Sequence, residues 1–282
     1  MPVMNGLESI VEIRKFSSCA IVVISTHDTA KMAYEATVKG AHEFFAKDIF
    51  TSNMSDRQRS DVFNTLKHIS SLKRKNAFPQ DTPDNQEKEV SNTHKINCVV
   101  IASSTGGPMA LCQLCSGLPA NFPVPILLVQ HNTSGFDKGF VQWLDGYAHL
   151  KIQLAEDGIF PSKGHLYVAP TDKHMVIGES GISLIDSEPV NNQKPAADIL
   201  FKSAVEQYRN SLVSVVLTGM GTDGAEGTKI VKQAGGITIA QDEASSMIYG
   251  MPQAAAETGC VDMILPLNDI AQRLVFLTGG NA

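Results

Sequence analysis

The chain of 282 residues is long enough for two domains, and its 43% hydrophobic content supplies an ordinary core. A formal net charge of -6 argues against nucleic acid as a partner, because binding to phosphates needs clustered Lys and Arg. No apolar run approaches the roughly 20 residues that cross a bilayer, and the N-terminus lacks the regions of a signal peptide. We therefore expect no membrane insertion and a cytoplasmic location.

The first part of the chain alternates helical and strand patterns. The segment GLESIVEIRKF predicts a helix, with Asn5 as its N-cap and Glu8 positioned for a capping box. The run CAIVVIS predicts a strand, DTAKMAYEATVKGA a second helix, AHEFFAKD a second strand, and the segment from Ser55 to Leu72 a polar helix. This order predicts a small α/β domain over residues 1–72.

A change of composition separates this domain from the rest of the chain. The segment from Leu72 to Lys95 is charged, carries two prolines and has few apolar residues. Such a composition is typical of a solvated linker. We expect a linker over residues 73–95 and a second domain over residues 96–282.

The second domain has the pattern of an α/β fold. The apolar runs INCVVIA, VPILLVQ, LVSVVLT and GITIA are separated by segments long enough for crossover helices. This spacing predicts a doubly wound, mainly parallel sheet that is covered on both faces. The segments LYVAP, HMVIG and ISLI follow one another closely and predict a small antiparallel insertion.

Polar residues close three of these predicted strands. INCVVIA runs into SSTGG, which contains Ser103 and Ser104; VPILLVQ ends at His131; and LVSVVLT leads to the loop that holds Asp223. Because ligands bind at the carboxyl ends of parallel strands, a hydroxyl, an imidazole and a carboxylate are expected at one edge of the sheet. These are the groups of nucleophilic acyl chemistry.

Each group has a physical reason to be there. A serine in a glycine-rich turn between strand and helix is held out toward a substrate, beside free N–H groups such as that of Thr105. His131 can accept the serine proton near neutral pH, and Asp223 can orient the imidazole and stabilise its charged form. On chemistry alone, Ser103 and Ser104 are both candidates for the nucleophile.

The segment LTGMGTDGA allows a second interpretation. It contains G-x-G-x-x-G, and Asp242 lies near the spacing of a ribose-binding acid, which is typical of a dinucleotide-binding oxidoreductase. Against this, Asp223 lies at the mouth of the following helix, where its carboxylate would repel a pyrophosphate. The oxidoreductase stays as an alternative.

Cysteine and the other histidines predict no further chemistry. The five cysteines come without a secretory signal, which argues against a disulfide framework. Cys112 and Cys115 form a CxxC without a second pair and fall within a predicted helix, so we interpret them as structural. His165 and His174 lack an acidic ligand pattern and are interpreted in the same way. We therefore predict neither a metal nor a cofactor.

Five segments together resemble one known family. IASSTGGP, VQHN, LTGMGTDGAEG, QDEASSMIYGMP and KPAADILF resemble the chemotaxis protein-glutamate methylesterase (CheB) family, over most of residues 96–275. The resemblance implies Ser104 rather than Ser103 as the nucleophile, His131 as the general base and Asp223 as its orienting partner. It also implies that the backbone N–H of Met220 is an oxyanion donor, beside that of Thr105.

The resemblance further implies a reaction and a partner. The reaction is hydrolysis of glutamate γ-methyl esters on methyl-accepting chemotaxis receptors, with deamidation of receptor glutamines as a related activity. A non-catalytic adaptor that binds receptors is the other alternative. Two departures from the family pattern could reshape the site: Ala102 stands where glycine is common, and VQHNT lacks the usual methionine and proline.

The first domain resembles the latter part of a response-regulator receiver, which has a flavodoxin-like fold. Ser25 matches the switch hydroxyl and Lys47 the phosphate-binding lysine, whereas Asp48 replaces the usual proline. MPVMNG resembles the loop after the phosphoacceptor aspartate, so the strands before it are missing from this sequence. We expect a partial receiver without aspartyl phosphorylation. A chemotaxis histidine kinase would be a partner only of a complete receiver.

Overall fold

The computed structural model describes residues 4–25, 30–50, 56–71 and 94–279. The chain divides into two compact units, Met1–Lys75 and Asn76–Ala282. The predicted linker, residues 73–95, lies outside the described residues except for its last two positions.

The first unit contains helices and strands in the predicted order. They are α1 (Gly6–Phe16), β1 (Val22–Ser25), α2 (Ala30–Val38), β2 (Glu43–Ala46) and α3 (Asp56–Ser71). The capping box is confirmed, because Asn5 Oδ1 accepts from the backbone N–H of Glu8 while the Glu8 carboxylate accepts from that of Asn5. The predicted ends of the second and third helices, from Asp28 and at Ser55 and Leu72, lie outside the described residues.

The two strands of this unit form a parallel pair. Their register aligns Ser25 with Ala46, so that Ser25 and Lys47 lie at the carboxyl ends of adjacent strands. A small core of Ile10, Ala36 and Ala41 packs beneath them.

The second unit contains nine strands and six α-helices in the part of the chain that the structure describes. The strands are β3 (Cys98–Ser103), β4 (Ile126–Gln130), β5 (Lys151–Leu154), β6 (His165–Val168), β7 (His174–Gly178), β8 (Gly181–Ile185), β9 (Leu212–Val216), β10 (Ile237–Gln241) and β11 (Met263–Leu265). The helices are α4 (Gly107–Ser116), α5 (Asp137–Asp145), α6 (Ala197–Tyr208), α7 (Ala225–Gln233), α8 (Met251–Glu257) and α9 (Leu267–Thr278).

Seven of these strands form one parallel sheet in the order β11-β10-β9-β3-β4-β6-β5. The chain leaves β3 toward β4 on one side and later returns to β9 on the other side. The strand order therefore changes direction at β3. In open α/β sheets, ligands bind at such a switch point, outside the carboxyl ends of the strands.

The helices cover both faces of this sheet. Every residue of β3, β4, β9 and β10 is buried, which explains why these strands appear in the sequence as continuous apolar runs. Helix α4 packs with α5 and α9, and α7 packs with α6 and α8. The doubly wound fold predicted from the sequence is confirmed.

One predicted element was wrong. LYVAP was expected in the antiparallel insertion, but β6 lies in the main sheet, parallel to both β4 and β5. Only β7 and β8 form the antiparallel pair. The partner strand β5 has an exposed Lys151 and carries no continuous apolar run, so the sequence did not indicate a strand beside which β6 could pair.

Gly227, in the first turn of α7, allows close packing against α6. A Cβ atom at this position would lie 2.7 Å from Cβ of Phe201. We expect Gly227→Ala to lower the free energy of unfolding by about 1–3 kcal/mol through overpacking. This outweighs the gain of up to about 1 kcal/mol that alanine brings to a helix. Urea denaturation followed by the fluorescence of Trp143, the single tryptophan, measures the change.

Gly178→Ala is the matched control, because no atom lies within 4 Å of a Cβ built there. Its free energy of unfolding should stay within about 0.5 kcal/mol of wild type. Equal stability of the two variants would contradict the packing argument.

Candidate active site

Three chain segments meet at the carboxyl edge of the sheet, next to β3. Ser103 pairs with Gln130 in the β3–β4 register, and the backbone N–H of His131 donates to the Ser103 carbonyl at 3.0 Å. On the other side of β3, the backbone N–H of Ser104 donates to the Thr218 carbonyl at 3.1 Å. Ser104 and His131 thus follow adjacent strands at the same level, with backbones about 5 Å apart as in any parallel pair.

His131 and Asp223 are in direct contact. Nε2 of His131 lies 2.8 Å from Oδ2 of Asp223, and the two side chains are 8% and 2% exposed. An ionised carboxylate only accepts hydrogen bonds, so Nε2 carries the proton and donates it. The other ring nitrogen, Nδ1, is buried and has no hydrogen-bond partner within the described ranges. It therefore has a free lone pair.

The Asp223 carboxylate lies at the N-terminus of α6, a helix distant from it in sequence. Oδ2 accepts from the backbone N–H of Ala197 at 2.7 Å, and Oδ1 accepts from those of Asp198 and Gly224, each at 3.1 Å. Helix N-termini favour negative charge because their first N–H groups lack carbonyl partners. The carboxylate is thus held on one side by backbone donors and faces the imidazole on the other.

The turn after β3 requires its two glycines. Gly106 has φ of 78°, and a Cβ there would lie 2.7 Å from Cβ of Met247. A Cβ at Gly107 would lie 2.1 Å from Oε1 of Gln130. The turn is closed by the backbone N–H of Gly107, which donates to the Ser104 carbonyl at 2.7 Å, and α4 begins there. Ser104 stays half-exposed at the apex.

Ser103 and Ser104 have different environments. Ser103 is fully buried, and its hydroxyl donates to Oε1 of Gln130 at 2.8 Å. Ser104 is only partly buried, and its hydroxyl makes no hydrogen bond within the described ranges. Ser104, the nucleophile that the resemblance implied, is thus the less buried of the two serines.

The loop after β9 packs tightly against this turn. A Cβ at Gly219 would lie 2.8 Å from Cβ of Ser104 and 2.4 Å from Sδ of Met251, so only glycine fits. The Thr218 hydroxyl donates toward the Thr105 carbonyl at 3.1 Å and ties the loop to the turn. The backbone N–H groups of Thr105 and Met220 have no acceptor in the part of the chain that the structure describes.

Gln130 is a residue that the sequence analysis missed. Its side chain is buried at the end of β4, and Nε2 donates to the carbonyls of Ser104 at 3.1 Å and His131 at 2.9 Å. With Ser103 bound to its oxygen, Gln130 fixes the backbone on both sides of the site. A polar residue that ends an otherwise apolar strand was the signal in the sequence.

Asp242, the proposed ribose-binding acid of the alternative interpretation, has a local role. Its Oδ1 accepts from the backbone N–H of Ser245 at 2.9 Å and from the Ser245 hydroxyl at 2.5 Å. The carboxylate thus closes a turn of its own chain. This finding does not favour a dinucleotide site.

The remaining candidates have structural surroundings. His174 is fully buried, and its ring bonds the backbone N–H of Ala196 and the carbonyl of Glu188. Cys112 and Cys115 are free thiols within α4. Burial raises the pKa of Cys115 to about 12 and also raises the pKa of Cys112, so both stay protonated rather than forming metal-binding thiolates.

Asp198 forms a second buried carboxyl beside Asp223. The pKa of Asp198 is raised from 3.8 to about 6, chiefly by burial and to a smaller extent by the negative charge of Asp223, while backbone donors from Gly227 and Gly224 act in the opposite direction. Its Oδ1 accepts from these two N–H groups at 2.7 and 3.0 Å, and its Oδ2 accepts from the side chain of Asn191 at 2.7 Å. Sequence analysis gave Asp198 no role, although it lies in the segment KPAADILF.

The fold and the edge of its sheet define an enzyme of the doubly wound α/β class. Residues 99–274 match the family model described as CheB methylesterase. A protein from Anaeromyxobacter dehalogenans named protein-glutamate methylesterase/protein-glutamine glutaminase 2 is 35% identical over 99% of this chain and 81% of its own length. A protein from Clostridium acetobutylicum named protein-glutamate methylesterase/protein-glutamine glutaminase is 36% identical over 99% and 82%.

A solved structure agrees with these relatives. The crystal structure of the Thermotoga maritima CheB methylesterase catalytic domain superimposes with a TM-score of 0.63 and 39% sequence identity, over 65% of this chain and 100% of the other. The chain belongs to the CheB methylesterase family.

The raised pKa of Asp198 predicts a pH dependence of stability. The folded state keeps the Asp198 proton up to about pH 6, whereas the ordinary pKa is 3.8, so its ionisation weakens the folded state as the pH rises through this range. The amide of Asp198→Asn does not ionise in this pH range. The free energy of unfolding of wild type minus that of Asp198→Asn should therefore fall between about pH 4 and about pH 7.

Urea denaturation at several pH values, again followed by Trp143 fluorescence, measures this difference. A difference that stays constant over the range would show that Asp198 does not titrate there in the folded protein.

Proposed function

We propose that this chain hydrolyses γ-methyl esters of glutamate residues on chemoreceptors, with Ser104 as nucleophile, His131 as general base and Asp223 as its orienting partner. The observation that carries the proposal is the contact between His131 and Asp223, which leaves Nδ1 of His131 without a partner within the described ranges, while Ser104 and His131 follow adjacent strands. The family membership of the chain supports the same reaction.

The first step is acylation of the serine. The Ser104 hydroxyl passes its proton to Nδ1 of His131 while its oxygen attacks the ester carbonyl. Asp223 stabilises the positive ring through Nε2, because its charge lies 2.8 Å away. These ring nitrogens have the reverse assignment of the serine-protease template, in which Nε2 faces the serine. His131 then returns the proton to the departing methoxide, and methanol leaves.

The second step is hydrolysis of the acyl-enzyme. A water molecule gives one proton to His131 and attacks the acyl carbon, and that proton passes to Ser104 as the glutamate side chain leaves as a carboxylic acid, which then loses its own proton to solvent. In both steps the carbonyl oxygen becomes negative, and the free backbone N–H groups of Met220 and Thr105 are its proposed donors. A donor of this kind contributes roughly 3–4 kcal/mol to catalysis.

Deamidation of glutamine follows the same course. Ester and amide form the same type of tetrahedral intermediate and differ in the leaving group, which is methanol in one case and ammonia in the other. The relatives whose names join both activities support this extension.

The first unit is proposed as a regulatory domain, with residues 73–95 as linker and residues 96–282 as catalytic domain. The division of the chain into two compact units supports this organisation. The alignment of Ser25 and Lys47 at neighbouring strand ends supports a receiver-like arrangement, and a histidine kinase remains the proposed partner of a complete receiver. Within the described ranges, no helix has the length and apolarity needed to cross a bilayer. The cytoplasmic location stays a prediction.

Ser104→Ala tests the proposed function. We expect methanol release from methylated receptor to fall by at least about 1,000-fold, because the variant lacks the nucleophile. Wild type treated with a fluorophosphonate should gain one adduct, found on the peptide that contains Ser104, and the variant should gain none.

Ser116→Ala is the matched control, since among the described residues the Ser116 hydroxyl donates only to the Gln113 carbonyl, at the far end of α4. It should release methanol at the wild-type rate. Equal rates for Ser104→Ala and wild type would remove Ser104 from the mechanism, and receptor binding without any methanol release by wild type would favour an adaptor.

A further inference from the structure

Helices α6 and α7 cap each other with acidic side chains. The backbone N–H groups of Ala197 and Asp198, at the start of α6, donate to the carboxylate of Asp223, which precedes α7. The backbone N–H groups of Gly224 and Gly227, at the start of α7, donate to the carboxylate of Asp198. We call this arrangement the crossed caps.

Neither helix has a capping side chain of its own. The N-cap residues are Ala196 for α6 and Gly224 for α7, and no side-chain hydrogen bond caps either helix from that position. The first N–H groups of a helix have no carbonyl partner within the helix and need an acceptor when they are buried. The crossed caps supply that acceptor from the opposite helix, so the two helix ends depend on each other.

The crossed caps connect Asp198 to the proposed catalytic pair. Asp198 binds Gly224 at 3.0 Å, and Gly224 directly follows Asp223 in the chain. The outer oxygen of Asp198 is fixed by the side chain of Asn191 at 2.7 Å. Both oxygens of Asp198 thus have hydrogen-bond partners.

We propose that Asp198 is a positioning residue, which holds the start of α7 so that the Asp223 carboxylate keeps its contact with His131. As far as rates are concerned, the inference rests on the proposed function. It goes beyond that function because it assigns a role to an acid that does not touch the reacting atoms.

Charge around Asp198 is compatible with this role. The charged groups that act on it are Asp223 in the loop before α7, and Glu226 and Lys229 on the first turns of α7. His131 lies beyond Asp223. Repulsion between the two acids is offset by the N–H donors on each of them, so a variant that removes only the charge should keep the caps.

Two substitutions distinguish the effect of the Asp198 hydrogen-bond acceptor from the effect of its negative charge. Asp198→Ala removes the acceptor of the Gly227 N–H and one of the two acceptors of the Gly224 N–H, which keeps Oδ1 of Asp223. Asp198→Asn keeps an amide oxygen for these donors, and its NH₂ group can donate to Asn191 once the Asn191 amide has turned over. We expect Asp198→Ala to lower kcat for methanol release by about 10- to 100-fold with KM within about 2-fold, as for other residues that orient a functional group. Asp198→Asn should stay within about 5-fold of wild type.

Asp262→Ala is the matched control. Asp262 is another partly buried acid, and it accepts from the backbone N–H and the hydroxyl of Thr238. Thr238 lies near the start of β10, at the opposite edge of the sheet from the site. This variant loses similar hydrogen bonds and should keep the wild-type kcat. Circular dichroism and Trp143 fluorescence select the variants that are folded.

Proton NMR gives a measurement that does not depend on turnover. The ring proton between Nε2 of His131 and Asp223 should give a low-field signal, assigned by its absence in His131→Gln. We expect this signal to disappear or shift in Asp198→Ala and to remain in Asp198→Asn and Asp262→Ala. If Asp198→Ala does not fold, Asp198→Ser replaces it, because its short side chain cannot reach both N–H groups.

Folded Asp198→Ala or Asp198→Ser with unchanged kcat and an unchanged ring-proton signal would overturn the proposal. So would an equal loss of kcat in Asp262→Ala, since the effect would then be one of general stability. If wild type releases no methanol but the ring-proton signal responds to Asp198 as expected, the positioning role stands and the proposed function fails.

Discussion

The bond between His131 and Asp223 is the interaction on which the edge of this sheet depends. A carboxylate that is 2% exposed is costly to bury, and here its charge is compensated by backbone donors from two helix ends and by the imidazole. The same bond sets the ring tautomer of His131, because Nε2 must donate to an acceptor. The other ring nitrogen, Nδ1, is left without a hydrogen-bond partner within the described ranges, as the proposed general base requires. The position of the Asp223 carboxylate thus determines both the hydrogen bonds at this edge of the sheet and the tautomer of His131.

Much of the fold could be predicted from the sequence. Strands β3, β4, β9 and β10 are buried on both faces, so they appear as unbroken apolar runs, and the crossover segments between them indicated a parallel sheet. The errors lie at the margins of the sheet, where this signal fails. Strand β5 exposes Lys151, and β11 has only three residues, so neither stands out. Without β5, the closeness of LYVAP to the next strands wrongly suggested that it belonged to their hairpin.

The residues of the candidate site could be predicted where a polar residue ends a buried strand. A residue such as Asp198, which binds the end of a different helix, could not. Ser104, His131 and Asp223 each follow a strand or its loop, so the topology of a parallel sheet was enough to bring them together. The choice between Ser103 and Ser104 needed either the resemblance or the structure, which buries one hydroxyl against Gln130. Asp198 could not be recognised in the same way, because its role depends on two helix ends meeting across the fold. No local sequence pattern indicates that the two helix ends lie next to each other.

The contacts that assemble the site join distant parts of the chain. The hydroxyl of Thr218 and the carbonyl of Thr105 are 113 positions apart in sequence, and His131 and Asp223 are 92 apart. Closing such long loops is entropically expensive and slow. During synthesis, a chain that has emerged only as far as β8 already carries Ser104 and His131 but lacks Asp223 and the loop of Met220. The proposed set of catalytic groups is therefore complete only when β9 and the loop that follows it have paired with β3.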